Sequence, residues 1–76
     1  MKTNTLAQLN IGETAIIDSF TDNEMSLRLL EMGCMPGEEV KIDKFAPLGD
    51  PIAISVSGYN LSLRLDEAQN IFVEKV

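Results

Sequence analysis

Histidine is absent from the chain, and cysteine occurs once, at Cys34. One thiol excludes an intramolecular disulfide. Without an imidazole, Ser55, Ser57 and Ser62 have no histidine to activate them, which excludes Ser–His chemistry. A tetrahedral centre built from cysteine and histidine needs four ligands, so that class of metal site is excluded too. Tryptophan is also missing. Phe20, Phe45, Tyr59 and Phe72 are the only aromatic residues, too few to line a groove for a proline-rich peptide. The glycines Gly33, Gly37, Gly49 and Gly58 sit in turn-like contexts with no following Lys-Ser or Lys-Thr. A phosphate-cradling loop is therefore not expected.

Positive charge is scarce. Six Lys and Arg residues face twelve Asp and Glu residues, for a net charge of −6. The six (Lys2, Arg28, Lys41, Lys44, Arg64 and Lys75) are scattered along the chain. Nucleic-acid binding calls for a clustered basic face, and an anionic membrane surface repels a polyanion. Neither partner is expected. Apolar runs last only a few residues, far short of the about 20 that span a bilayer. The first residues, Met1-Lys2-Thr3-Asn4-Thr5-Leu6, carry no apolar signal region. A lone free cysteine suits a reducing compartment. These features predict a soluble, cytoplasmic protein with no direct membrane insertion.

What is present is a compact pattern of short elements. Seventy-six residues predict one domain, 1–76, and 45% hydrophobic residues supply a core. At this length the stability margin is small, roughly 3–5 kcal/mol. Residues 5–9 form one helical turn, with Leu6 and Leu9 on one side. Residues 14–20 form a strand, and Ala15-Ile16-Ile17 leaves its inward face undefined. Thr21-Asp22-Asn23-Glu24 matches a capping box, with Thr21 at the N-cap. The helix it opens carries Met25, Leu29 and Met32 at i, i+4 and i+7, and Leu27 and Leu30 widen that stripe. Gly33 stops the helix, and Pro36-Gly37 suits a type II turn. Residues 38–46 alternate as a second strand, and residues 47–51 form a stiff loop bounded by two prolines. Residues 52–57 and 61–65 alternate as a hairpin around Gly58-Tyr59-Asn60. Asp66 caps a short helical turn over 67–70, and residues 71–76 form a fifth strand. Five short strands with closely spaced turns predict a mostly β fold, a small barrel with one helix after the first strand.

Candidate site residues are few. Glu38 and Glu39, or Asp66 and Glu67, are adjacent, and adjacent strand residues point to opposite faces, which is poor for chelation. Asp22 and Glu24 serve the helix start. Asp50 is expected to bond its neighbouring backbone in the turn. Cys34, the second residue past the helix, is expected to pack back as a small hydrophobe. No catalytic, cofactor or preformed metal residues are assigned. Weak contact with Fe²⁺ or another divalent ion through carboxylates is left open.

Three stretches together resemble the FeoA family, ferrous iron transport protein A. They are Leu29-Leu30-Glu31-Met32-Gly33-Cys34-Met35-Pro36-Gly37, then Ala46-Pro47-Leu48-Gly49-Asp50-Pro51, then the run from Val56-Ser57-Gly58-Tyr59-Asn60 to Asp66-Glu67-Ala68. They occur in family order and spacing. Cys34 departs from the pattern, since the family usually has an apolar side chain there. The resemblance implies an SH3-like β-barrel and a non-enzymatic role. It implies protein–protein interaction with FeoB, a membrane ferrous iron transporter with a cytosolic GTPase domain. It also carries the family's association with transition metal ions and iron homeostasis. A related domain ends iron-dependent repressors, so a metal-responsive regulatory module is the alternative expectation. The expected contact face is the helix end and adjoining turns: Leu30, Met32, Cys34, Met35 and Leu48. Weak self-association through an open strand edge is a further expectation.

Overall fold

The computed structural model describes residues 4–75. Six strands and two helices follow one another: β1 (Asn4–Thr5), a 3₁₀ turn (Leu6–Gln8), β2 (Thr14–Phe20), α1 (Asn23–Glu31), β3 (Glu39–Phe45), β4 (Ile52–Val56), β5 (Tyr59–Leu63), α2 (Leu65–Ala68) and β6 (Ile71–Lys75). All strand pairs are antiparallel, in the order β1-β6-β2-β3-β4-β5. The sheet is not closed: among the described residues no pairing returns from β5 to β1.

The mostly β, SH3-like expectation stands, and the strand count rises from five to six. The added strand, β1, has two residues with no period to detect, and it exists because Asn4 and Thr5 pair with Val73 and Phe72. Inside the sheet the period of two does the sorting. Val40 and Ile42, Ile52, Ile54 and Val56, and Ile71 and Val73 point inward and are buried. The undefined face of β2 resolves with Ala15 and Ile17 inward and Ile16 half-buried. The register of β2 against β6 shifts between Ile17 and Ser19, and that of β3 against β4 between Ile42 and Lys44. Bulges of this kind bend the strands, which lets a short sheet curl around one core. Leu6, Leu9, Leu29, Cys34 and Ala68 from outside the strands complete that core.

Several boundaries move for identifiable reasons. Asp22, not Thr21, caps α1: its Oδ1 accepts the Glu24 N–H at 2.8 Å and the Met25 N–H at 3.3 Å. Thr21 is occupied elsewhere, because its N–H donates to the Asn70 carbonyl at 2.9 Å and its hydroxyl donates to the Asn70 side chain. The hairpin turns one residue early, at Ser57-Gly58. Both have positive φ (51° and 81°), which matches the right-handed twist of the flanking strands. The strand after it ends at Leu63, and Leu65 opens α2. Asp66 does not cap that helix across its first turn. Its carboxylate accepts the Glu67 N–H, while Glu67 Oε1 reaches back to the Arg64 N–H at 2.9 Å. Val76, expected to end the last strand, lies outside the described residues.

Candidate functional site

The corner that joins α1 to β3 is built by the backbone. Past the C-cap Met32, the Gly33 N–H donates to the Leu30 carbonyl at 3.1 Å and the Cys34 N–H to the Leu29 carbonyl at 2.9 Å. This pair of bonds is the Schellman motif, and it requires a left-handed residue between helix and exit, supplied by Gly33 at φ +98°. The chain then turns through Met35-Pro36-Gly37, where the Glu38 N–H donates to the Met35 carbonyl at 3.1 Å and closes the expected turn. The Gly37 N–H donates to the Ile17 carbonyl at 2.8 Å and fixes the turn to β2.

Two polar bonds tie α2 into the same region. Arg28 of α1 reaches the Glu67 carboxylate, Nη to Oε2, at 3.3 Å; the Glu67 side chain is 8% exposed and that of Arg28 67%. Glu67 also accepts the Arg64 N–H, so one carboxylate caps α2 and holds α1. Asp50 does not bond its own turn as expected. Its Oδ1 accepts the Leu65 N–H at 3.0 Å, so the proline-bounded loop supplies a cap to α2 from 15 residues away. Neither bond is visible from local spacing.

Cys34 is fully buried, which agrees with its expected packing role and removes it from any contact surface. Burial pushes its thiol above the usual range, and the nearby Glu67 carboxylate adds to the shift. The thiolate, the reactive form, is therefore disfavoured. Met32 is half-buried and packs against the core. Leu30 (40% exposed), Met35 (51%) and Leu48 (96%) remain available at the surface. Met35 precedes β3 and Leu48 follows it, so a seven-residue strand separates the two turns that carry them.

Leu27 and Leu30, expected to widen the buried stripe, do not: they are 65% and 40% exposed. At about 100° per residue, Leu27 and Leu30 fall on the side of α1 opposite Met25, Leu29 and Met32. They stand three residues apart, hence side by side, flanked by the exposed carboxylates Glu24 and Glu31. The outer face of α1 is thus a small apolar patch with an acidic rim.

A shallow, open groove of about 430 Å³ is lined by residues including Thr14, Glu38, Glu39, Lys41, Ser55 and Ser57. Its serines are engaged: Ser57 donates to Glu38 Oε2 at 2.6 Å and Ser55 to Asp43 Oδ2 at 2.6 Å. Among the described residues, no three His, Cys, Asp or Glu side chains converge as a metal-binding group. No helix among them is long and apolar enough to cross a membrane.

The FeoA domain family matches residues 4–75. The chain belongs to the FeoA family. A curated relative, the Fe(2+) transport protein A/Fe(2+) transporter FeoB fusion protein of Porphyromonas gingivalis, is 35% identical over 72 residues. That match takes in 93% of this chain and 8% of the fusion protein, so the chain spans a small fraction of that relative's length. The solution structure of a FeoA-like protein from Clostridium acetobutylicum superposes with a TM-score of 0.92 at 34% identity, covering 100% of this chain and 90% of that one. The Stenotrophomonas maltophilia FeoA, described as a procaryotic SH3 domain protein and solved with zinc, gives 0.80 at 31% identity, covering 92% and 88%. A manganese-dependent transcriptional repressor matches with a TM-score of 0.90 over 100% of this chain and 38% of its own, at 16% identity, a likeness of fold alone. Family membership links this domain to ferrous iron transport.

Proposed function

We propose that the chain is a non-enzymatic, cytoplasmic accessory of ferrous iron transport that acts by binding the cytosolic part of a FeoB-type membrane transporter. The P. gingivalis relative carries this reading, because there a domain 35% identical to this one is named as fused to FeoB. Fusion holds two domains at high effective concentration, which benefits domains that must meet. The surface that fits such a role is the outer face of the helical corner, with Leu27 and Leu30 on α1 and Met35 on the turn that follows; Leu48 is exposed on the proline-bounded loop past the other end of β3. Cys34 and Met32 support that surface from beneath. The carboxylates Glu24 and Glu31 at its rim favour a partner that presents basic groups around an apolar centre.

The test is a heteronuclear NMR titration of the chain with the GTPase domain of a FeoB-type transporter, with and without nucleotide. The expected result is shift changes that cluster at Leu27, Leu30 and Met35 and weaken with added salt. No change on any surface, in either nucleotide condition, overturns the proposal. The metal-responsive alternative rests on the zinc-bound relative. Calorimetry with Fe²⁺ under anaerobic conditions separates the two, since heat at micromolar metal supports only that alternative.

A further inference from the structure

The two edges of the sheet are unlike. Among the described residues the β1 edge is two residues long. The β5 edge is five residues long, and β4 is the only element with which it makes extensive contact. The hairpin fixes which of its backbone groups are free. With a two-residue turn at Ser57-Gly58, Val56 and Tyr59 form a hydrogen-bonded pair, and the alternation continues to Leu61 against Ile54 and Leu63 against Ile52. The N–H and C=O groups of Asn60 and Ser62 therefore point outward. Among the described residues they meet no hydrogen-bond partner.

Exposed edges of this length are commonly blunted by lysine, proline or a bulge. The residues here, Tyr59-Asn60-Leu61-Ser62-Leu63, include none of these and no charge. The surrounding sheet is also electrically balanced. Strands β3 to β5 hold two acids (Glu39, Asp43) and two bases (Lys41, Lys44), net zero, so the charge of −6 lies outside them. Two copies of a strongly acidic chain can approach along this strip with the least mutual repulsion.

We propose that a second copy of this chain pairs with it through β5, antiparallel about a two-fold axis at Leu61. That register sets Asn60 opposite the partner's Ser62, and Ser62 opposite the partner's Asn60. All four free donors and acceptors on each strand are then satisfied at once, with nothing left over. The same register brings Arg64 beside the partner's Gly58, next to the turn where Ser57 holds Glu38, so each end of the joint sets a cation near an anion. The result is a continuous sheet across both copies. The joint uses neither Leu27 nor Leu30 and stands apart from the docking proposed above.

Analytical ultracentrifugation over a micromolar-to-millimolar range, with amide exchange by NMR, tests the pairing. The wild-type chain is expected to dimerise with concentration, with protection rising at the Asn60 and Ser62 amides and unchanged at Leu61. Asn60→Lys with Ser62→Lys sets like charges opposite each other twice and is expected to weaken dimerisation by about tenfold or more. Asn60→Glu with Ser62→Glu behaves likewise. Mixing the two variants restores association as a heterodimer, because each lysine then meets a glutamate. The wild-type exchange measurement needs no variant, so a substitution that disturbs folding leaves the test intact. A wild-type chain that stays monomeric throughout overturns the proposal. So does a lysine variant that associates like the wild type, or protection at these amides that appears only when a transporter domain is added.

Discussion

At the helical corner, polar groups are matched and side chains interlock. The Schellman bonds consume the last carbonyls of α1, Glu67 serves Arg64 and Arg28, and Asp50 reaches across to Leu65. Along the outer edge of β5, by contrast, the backbone of Asn60 and Ser62 offers unspent hydrogen bonds. The corner can therefore gain a partner only through the apolar side chains left on its outside. The β5 edge can gain one through main chain alone, where identity of side chain matters less than absence of charge. One small domain thus carries two surfaces with different physical requirements, and substitutions should separate them.

The largest contrast lies within α1. Leu29 is fully buried and Leu27 faces solvent on the other side of the same helix. Leu29→Ala is expected to cost about 3 kcal/mol, comparable to the whole margin of a domain this size. Leu27→Ala should stay within about 0.5 kcal/mol. Urea unfolding of both variants checks this, and equal losses would erase the distinction between the two faces. Next comes Glu67→Ala, which strips the Arg64 N–H of its acceptor and α1 of its tie to α2. The expected loss is about 2 kcal/mol. Ser62→Lys, on the open edge, should leave the same unfolding curve nearly unmoved. Asp50→Ala removes a single cap bond at an exposed site, and about 1 kcal/mol is expected.

The smallest effect is one of pH. Glu13 accepts the Asn10 N–H at 2.6 Å and lies 3.5 Å from Lys75. The Asn10 bond, and after it the Lys75 charge, hold its carboxyl below the usual carboxylate range. The fold therefore prefers the ionised form. The stability this contributes is complete above the unfolded carboxylate value and is lost as pH falls through the lower folded value. Glu13→Gln should flatten that part of the acid limb in a thermal-melt series. A variant with an unchanged limb would show that other carboxylates set it.

The elements that announce themselves by period or punctuation were legible in the sequence. The alternation of Ile52, Ile54 and Val56, the stop at Gly33 and the turn at Pro36-Gly37 all stand where residue pattern places them. What was not legible depends on distant partners. Thr21 loses the N-cap because Asn70, 49 residues away, holds it. Asp50 serves Leu65 rather than its own turn, and β1 exists only by leave of β6. Of the residues the sequence proposes for a contact face, Leu30, Met35 and Leu48 are exposed, whereas Cys34 faces the core. Leu27 was misassigned for a different reason. Counting apolar residues widened the stripe, whereas the helical angle of about 200° from Met25 already placed Leu27 on the far side.

The measurement that bears most directly on the functional account is the affinity of the wild-type chain and of Leu30→Asp for the cytosolic domain of a FeoB-type transporter, read by calorimetry alongside each chain's melting curve. The account predicts binding by the wild type, a loss of about tenfold or more for the variant, and melting curves that nearly coincide. Equal affinity for both chains would contradict it.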